Sequence, residues 1–287
     1  MTYAAEISRN NPGLIGFLID QSGSMDDKMA GTNDPKATMC ARYIDAFFNR
    51  LLTKNAEGEV IKNRFEIFAI GYGGMEKDVS SALNGIDLNE MPISLQKLQQ
   101  SSVMESRKKT VTKKVPDGAD GFIEKTEEVE VSVPKWIEPI SDGWTPMNEA
   151  LTEAYNITTN WVEEHKTSYP PIIINITDGM YNTEDPEEIS EELRKLETED
   201  GNTLFFNIHI SDNATNAPIS FPTRTSFSPP DDLAEKLFRM SSPLVEAMVQ
   251  HGRRKDKKID PGAVGFAYNA EFGDFIDFLD IGTRPAG

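Results

Sequence analysis

Thiols are almost missing from this chain: among 287 residues only Cys40 is a cysteine. That excludes a disulfide within the chain and any zinc site built wholly from thiolates. A lone free cysteine behaves as a small hydrophobe, so Cys40 is expected to pack inside a helix. Histidine is scarce as well. His165, His209 and His251 are scattered, none beside a second ligand or a nucleophile, and His209 reads as a structural strand residue. Long apolar runs are absent too, for no stretch approaches the roughly 20 residues that a membrane span needs. The first apolar run begins near Leu14 after Arg9, Asn10 and Asn11, not after a basic n-region, which predicts no secretion signal and a cytoplasmic location. Positive charge is in deficit: 29 Lys and Arg against 47 Asp and Glu leave a net charge of −18. Such a balance argues for solubility and against attachment to nucleic acid or anionic lipid. The densest basic run, Gly252 to Lys258, lacks interleaved aromatics and is expected to be a solvated loop before the last strand.

What the chain does contain is an alternation of strand and helix signals, which predicts an α/β fold with a mostly parallel sheet covered on both faces. Leu14 to Ile19 and Ile172 to Thr177 are apolar on both faces, as buried parallel strands are, and an aspartate follows each. Asp34-Pro35 supplies a cap and a first-turn proline for a helix in which Met39, Tyr43, Phe47 and Leu51 recur near helical spacing. Phe65 to Tyr72 is a further strand, with Gly71, Gly73 and Gly74 closing it. Helices are expected over Glu90 to Glu105, Pro146 to Glu164, Pro186 to Glu197, Asp231 to Met240, Leu244 to Gln250 and Phe272 to Ile281. Leu204 to Ile210 and Ala263 to Tyr268 read as strands. The whole, 1–287, is expected to be one domain with a core over about 14–282.

One segment interrupts the alternation. Arg107 to Val133 has a basic arm (Arg107, Lys108, Lys109, Lys113, Lys114), a turn-rich centre at Asp117-Gly118 and Asp120-Gly121, and an acidic arm (Glu124, Glu127, Glu128, Glu130). This predicts an inserted β-hairpin over about 107–133, its register chosen by opposite charges at about 0.2–1 kcal/mol per facing pair.

Three separated stretches carry the chemistry. Asp20, Ser22 and Ser24 lie in Asp20-Gln21-Ser22-Gly23-Ser24, Thr145 precedes Pro146, and Asp178 precedes Gly179. Parallel sheets place ligands at the carboxyl ends of their strands. Magnesium takes about six oxygens, keeps several waters and uses one or two carboxylates. Three hydroxyls and two aspartates suit that demand, with Mn2+ accepting the same donors. If the hydroxyls bind directly and the aspartates act through water, the ion keeps an affinity for an outside anion, and a carboxylate from another protein is the obvious one. Met25, Trp144, Met147, Met180 and Tyr181 lie within a few residues of these positions and read as an apolar rim for a partner, Trp144 foremost. Taken singly, the same stretches are also ordinary turns and helix starts.

These residues, with Thr145-Pro146-Met147 and Ile176-Thr177-Asp178-Gly179, resemble the metal-ion-dependent adhesion site of a von Willebrand factor A domain. Phe275 to Thr283 and Trp136-Ile137-Glu138-Pro139 are similar to segments of standalone cytosolic bacterial members. The resemblance spans about Leu14 to Leu279 apart from the ribbon, and Ser24 to Thr145 is longer than the family usually has. It implies a Rossmann-like, three-layer fold and a Mg2+ at the carboxyl edge of the sheet. It also implies recognition of a partner's acidic side chain, with Ser22, Ser24 and Thr145 as hydroxyl ligands and Asp20 and Asp178 as carboxylates.

The expected function is therefore a non-catalytic, metal-dependent protein-binding or scaffolding module. A regulatory subunit of an AAA+ ATPase or of a kinase and phosphatase pair is the alternative. A metal-dependent phosphohydrolase is the enzymatic reading, with Asp20 as nucleophile. Against it, Ser22 stands where a phosphatase of the haloacid dehalogenase type has a second carboxylate. No Gly-x-x-x-x-Gly-Lys loop or Gly-x-Ser-x-Gly elbow occurs.

Overall fold

The computed structural model describes residues 2–75, 78–116, 122–179, 181–212, 217–255, 257–270 and 272–282. Met180, the ribbon centre at Asp117-Gly118 and Asp120-Gly121, and Thr283 lie outside them. The chain begins with strand β1 (Gly13–Gln21) and helix α1 (Lys36–Asn55), followed by short strands β2 (Ala56–Glu57) and β3 (Val60–Ile61). Next come β4 (Phe65–Gly73), β5 (Asp78–Ser81), β6 (Ile93–Ser94), α2 (Leu95–Ser101), β7 (Val103–Pro116) and β8 (Phe122–Lys135). The second half holds α3 (Met147–Glu164), β9 (Ile172–Thr177), α4 (Glu187–Lys195), β10 (Leu204–His209), β11 (Ile219–Ser220), α5 (Asp232–Met240), α6 (Glu246–Arg254), β12 (Phe266–Tyr268) and α7 (Phe272–Gly282).

Eight of the described strands form one sheet, ordered β11-β12-β10-β9-β1-β4-β5 with β6 also on β4. The central pairs β12-β10, β10-β9, β9-β1 and β1-β4 are parallel, and β11, β5 and β6 attach antiparallel. This is the mostly parallel, helix-flanked α/β arrangement that the alternation predicts, and it is consistent with a Rossmann-like von Willebrand factor A fold. All of β1 is buried because its alternate side chains enter two cores. Ile15, Phe17 and Ile19 join α1, α6 and α7 on one face, while Leu14 and Leu18 join α3, α4 and α5 on the other. Phe17 sits edge-on to Phe47 and Phe48 of α1, with ring centroids 5.6 and 5.5 Å away. Cys40 is buried in α1, as expected of a lone thiol. No helix among the described residues is long and apolar enough to cross a membrane.

Several expectations need correction. The helix expected over Glu90 to Glu105 shrinks to α2, capped by Ser94, whose hydroxyl accepts from the Lys97 N–H. Residues 93–94 instead pair with β4, and residues from Val103 onward enter the ribbon, where cross-strand pairing overrides helical propensity. Asp34 does not cap α1; its carboxylate binds Arg42 at 2.6 Å, and Pro35 is the capping residue. Gly71 lies within β4, which runs on to end at Gly73. The basic run is only partly loop, since Gly252, Arg253 and Arg254 end α6. The chain before Gly13 is also tied down, as the Ala4 and Ala5 N–H groups donate to the Asp200 carboxylate at 3.0 and 2.9 Å.

The ribbon β7-β8 pairs with no other described strand. Its base is anchored by Asp45 of α1, whose buried Oδ1 accepts from the main-chain N–H groups of Trp136 (2.8 Å) and Ile137 (3.1 Å). The register sets Lys108 opposite Glu130 and Lys114 opposite Glu124, as the opposed arms predict, but not every charge is matched. Lys113 lies opposite Lys125, and the ion pairs are diagonal, Lys108 to Glu128 at 3.4 Å and Lys113 to Glu127.

Candidate metal centre

β1 has β4 on one side and β9 on the other, so the chain leaves its carboxyl end in one direction and returns from the opposite one. A crevice opens at such a reversal of strand order. Asp20 stands near the end of β1, and Asp178 directly follows β9. Main-chain hydrogen bonds draw the loops there together. The Asp142 N–H donates to the Gln21 carbonyl (2.8 Å), Gly23 N–H to Gly143 (3.1 Å), Gly74 N–H to Asp142 (2.7 Å) and Trp144 N–H to Gly74 (3.0 Å). Gly143 has φ +66, and a Cβ there would lie 2.2 Å from the Gly74 backbone, so only glycine allows this approach. Thr145 is then tied to the third loop, its N–H donating to Asn182 Oδ1 at 2.8 Å. Gly179, at φ +97, turns the chain after Asp178.

Within this cluster Asp20 is 1% exposed. Its Oδ1 accepts from the Ser22 N–H (2.9 Å) and its Oδ2 from the Thr177 hydroxyl (2.7 Å). The hydroxyls of Ser22 and Ser24 lie 3.1 Å apart. Ser22 and Thr145 are buried and Ser24 is half-buried. Asp178 Oδ2 accepts from the ammonium of Lys36 at 3.0 Å, whereas its Oδ1 is buried with no hydrogen-bond partner. Behind Asp178, His209 Nε2 lies 3.1 Å from the Asp178 carbonyl, and His209 Nδ1 lies 3.4 Å from the Asn269 N–H. Both contacts suit a neutral ring protonated at Nε2, and burial holds its pKa down at about 4. This is the structural role expected of His209.

These residues suit a hard divalent cation on two observations. One carboxyl oxygen, Asp178 Oδ1, is buried and unpartnered, a costly state for a polar atom unless a donor or a cation meets it. Burial first, and the charge of Asp178 second, push the Asp20 carboxyl up to about 7 despite its hydrogen bonds from Ser22 and Thr177. A cation held between the two carboxyls would relieve that burial cost and repulsion. Among the described residues no group of three or more His, Cys, Asp or Glu side chains is arranged to hold a metal. The hydroxyls of Ser22, Ser24 and Thr145 would have to complete an oxygen set, a donor type that suits magnesium or manganese better than softer ions.

The apolar rim is smaller than the sequence suggests. Met25 and Met147 are fully buried and pack beneath the loops, as flexible apolar side chains fill core gaps. Trp144 is 42% exposed, and Tyr181 is half-buried under the Lys236 ammonium, which lies 4.9 Å from its ring centroid. Met180 lies outside the described residues. Sequence reasoning missed Lys36, Thr177 and Asn182. Only Thr177, one residue before Asp178, had a local signal; Lys36 and Asn182 reach the site through tertiary structure.

No family model matches the chain, and no curated protein matches it. Solved structures do. An aerotolerance-related membrane protein from Bacteroides fragilis, bearing multiple mutations to serine, is 12% identical over 79% of this chain and 86% of its own, with a TM-score of 0.39. The PilB minor pilin of Streptococcus sanguinis is 12% identical over 58% of this chain and 30% of its own, with a TM-score of 0.31. The pilus adhesin RrgA of Streptococcus pneumoniae is 13% identical over 59% of this chain and 21% of its own, with a TM-score of 0.27.

Proposed function

We propose that this chain is a non-catalytic, metal-dependent protein-binding module of the von Willebrand factor A type, which captures an acidic side chain of a partner through a bound Mg2+ or Mn2+. The observation that carries this reading is the buried, unpartnered Oδ1 of Asp178 beside the elevated carboxyl of Asp20. Ser22, Ser24 and Thr145 would contribute hydroxyl ligands, and Asp20 and Asp178 the carboxylates. The ion, when bound, supplies an electrophilic centre that attracts a carboxylate. The protein's own part is to hold the donors in place: Thr177 and the Ser22 N–H fix Asp20, Asn182 fixes the Thr145 loop, and His209 fixes the carbonyl of Asp178. Trp144 presents exposed aromatic surface next to Thr145, where a partner would add contact area.

Binding without turnover is favoured because His209, the histidine nearest the site, is buried and engaged on both ring nitrogens, a poor position for a general base. Affinity purification in Mg2+ and in chelator, with Asp178→Ala as control, tests the proposal. Partners held only in Mg2+ and lost in Asp178→Ala are expected. Retention of the same partners in chelator, or hydrolysis of a phosphate ester that Asp20→Asn abolishes, would overturn it.

A further inference from the structure

Lys36 is the least expected group at this site. Its side chain is 4% exposed and lies 3.0 Å from Asp178 Oδ2, itself on a side chain 7% exposed, so water scarcely screens the pair. It occupies the first residue of α1, where the helix dipole disfavours a cation, so the helix gives no reason for a buried ammonium there. The main-chain N–H of Lys36 donates to the Asp27 carbonyl at 2.9 Å, which ties it to the loop carrying Ser22 and Ser24. A second carboxylate is also within reach: Asp27 Oδ2 lies 3.9 Å from Nζ, on a side chain 63% exposed.

Resting on the metal-site reading above, we infer that Lys36 is a resident competitor of the divalent cation. Its ammonium occupies Asp178 when the metal is away and moves toward Asp27 when the metal takes that carboxylate. Two consequences follow. Each binding event breaks one buried ion pair, so the intrinsic affinity of the oxygen set is reduced and occupancy tracks free Mg2+. The displaced ammonium, now paired with the exposed Asp27, also stays close to the filled centre, where it favours an incoming carboxylate, the partner chemistry already proposed.

Calorimetric titration of MgCl2 into the full chain, into Lys36→Met and into Asp27→Asn, with thermal melts of each, tests this. Lys36→Met is expected to bind Mg2+ about tenfold more tightly, the scale of one poorly screened ion pair. Asp27→Asn should bind about twofold to threefold more weakly, because the displaced ammonium loses its exposed second partner. Binding in Lys36→Met equal to or weaker than in the unmodified chain overturns the role of Lys36 and leaves the metal site standing. Absence of binding in the unmodified chain and in Lys36→Met, with Mn2+ as with Mg2+, overturns both. Should Lys36→Met melt out, the exposed Asp27→Asn decides: weaker binding supports the competitor, and unchanged affinity overturns it.

Discussion

The two ends of α1 hold opposite kinds of buried charge. At its first residue, Lys36 meets Asp178, whose charge bears on the buried Asp20 beside it. Toward its last turn, Arg50 and Lys54 reach a single buried carboxylate, Asp280 of α7, at 3.2 and 3.1 Å. His251 of α6 (3.1 Å) and Lys255, just past its end, bind the same group. Burial opposes ionisation of Asp280, but hydrogen bonds from Lys255, His251 and Lys54 outweigh it and hold the carboxyl well below its usual range. Asp20 moves the other way, up to about 7. Cations at the carboxyl end of α1 also agree with the helix dipole, whereas Lys36 opposes it. A buried carboxylate supplied with several cations joins three helices; a pair supplied with one is short of positive charge and suited to taking up more.

Asp280→Asn strikes at the better-satisfied end. It should cost about 2–4 kcal/mol and lower the melting temperature by about 5–10 °C, since a buried amide would be left among several cations. A melt within a degree of the unmodified protein would show that these contacts are not coupled to folding.

The pH dependence of stability separates the two ends further. An unfolded aspartate loses its proton near 3.9. Asp20 keeps its proton in the fold to about 7, so its contribution is full below about pH 4 and declines as pH rises to about 7. Asp280 has a lowered folded pKa, so its contribution is full above about pH 4 and is lost only in acid. His209, neutral in the fold down to about 4, tilts the middle window the opposite way from Asp20. The measurement is therefore the difference between the unmodified protein and Asp20→Asn, in chelator. Asp20→Asn should gain roughly 1–3 kcal/mol on the unmodified chain between pH 4 and 7, and Mg2+ should stabilise the unmodified chain but not the variant. Parallel pH curves in denaturant titrations would remove the charge deficit on which the comparison rests.

The smallest effect belongs to the ribbon. Its Lys113–Glu127 pair joins side chains 57% and 39% exposed. Glu127→Gln should shift stability by less than about 0.5 kcal/mol in a denaturant titration, and a larger loss would mean that the ribbon leans on the body beyond its base at Asp45.

What could be read in the sequence follows from how local the cause is. β1 and β9 were legible because burial on both faces leaves uninterrupted apolar runs, and Asp20 and Asp178 stand out where those runs stop. Ser22 and Ser24 share one loop with Asp20. Lys36 was not legible, because nothing near it in the chain shows that α1 delivers its first side chain to the loop after β9. Asp280 gathers partners from α1 and α6, far apart in sequence, and three of them are surface-type residues with no periodic signal. The helix misread over Glu90 to Glu105 failed where pairing with β4 and the ribbon replaced propensity. Met25 and Met147 were assigned to a surface because adjacency to a ligand does not say which side of a loop a side chain takes.

The solitary thiol of Cys40, sealed between α1 and the sheet on the same helix that links both charge centres, doubles as a natural stopwatch. A thiol-directed reagent can reach it only when the molecule opens, so alkylation under native conditions would time excursions from the folded state without any engineered label.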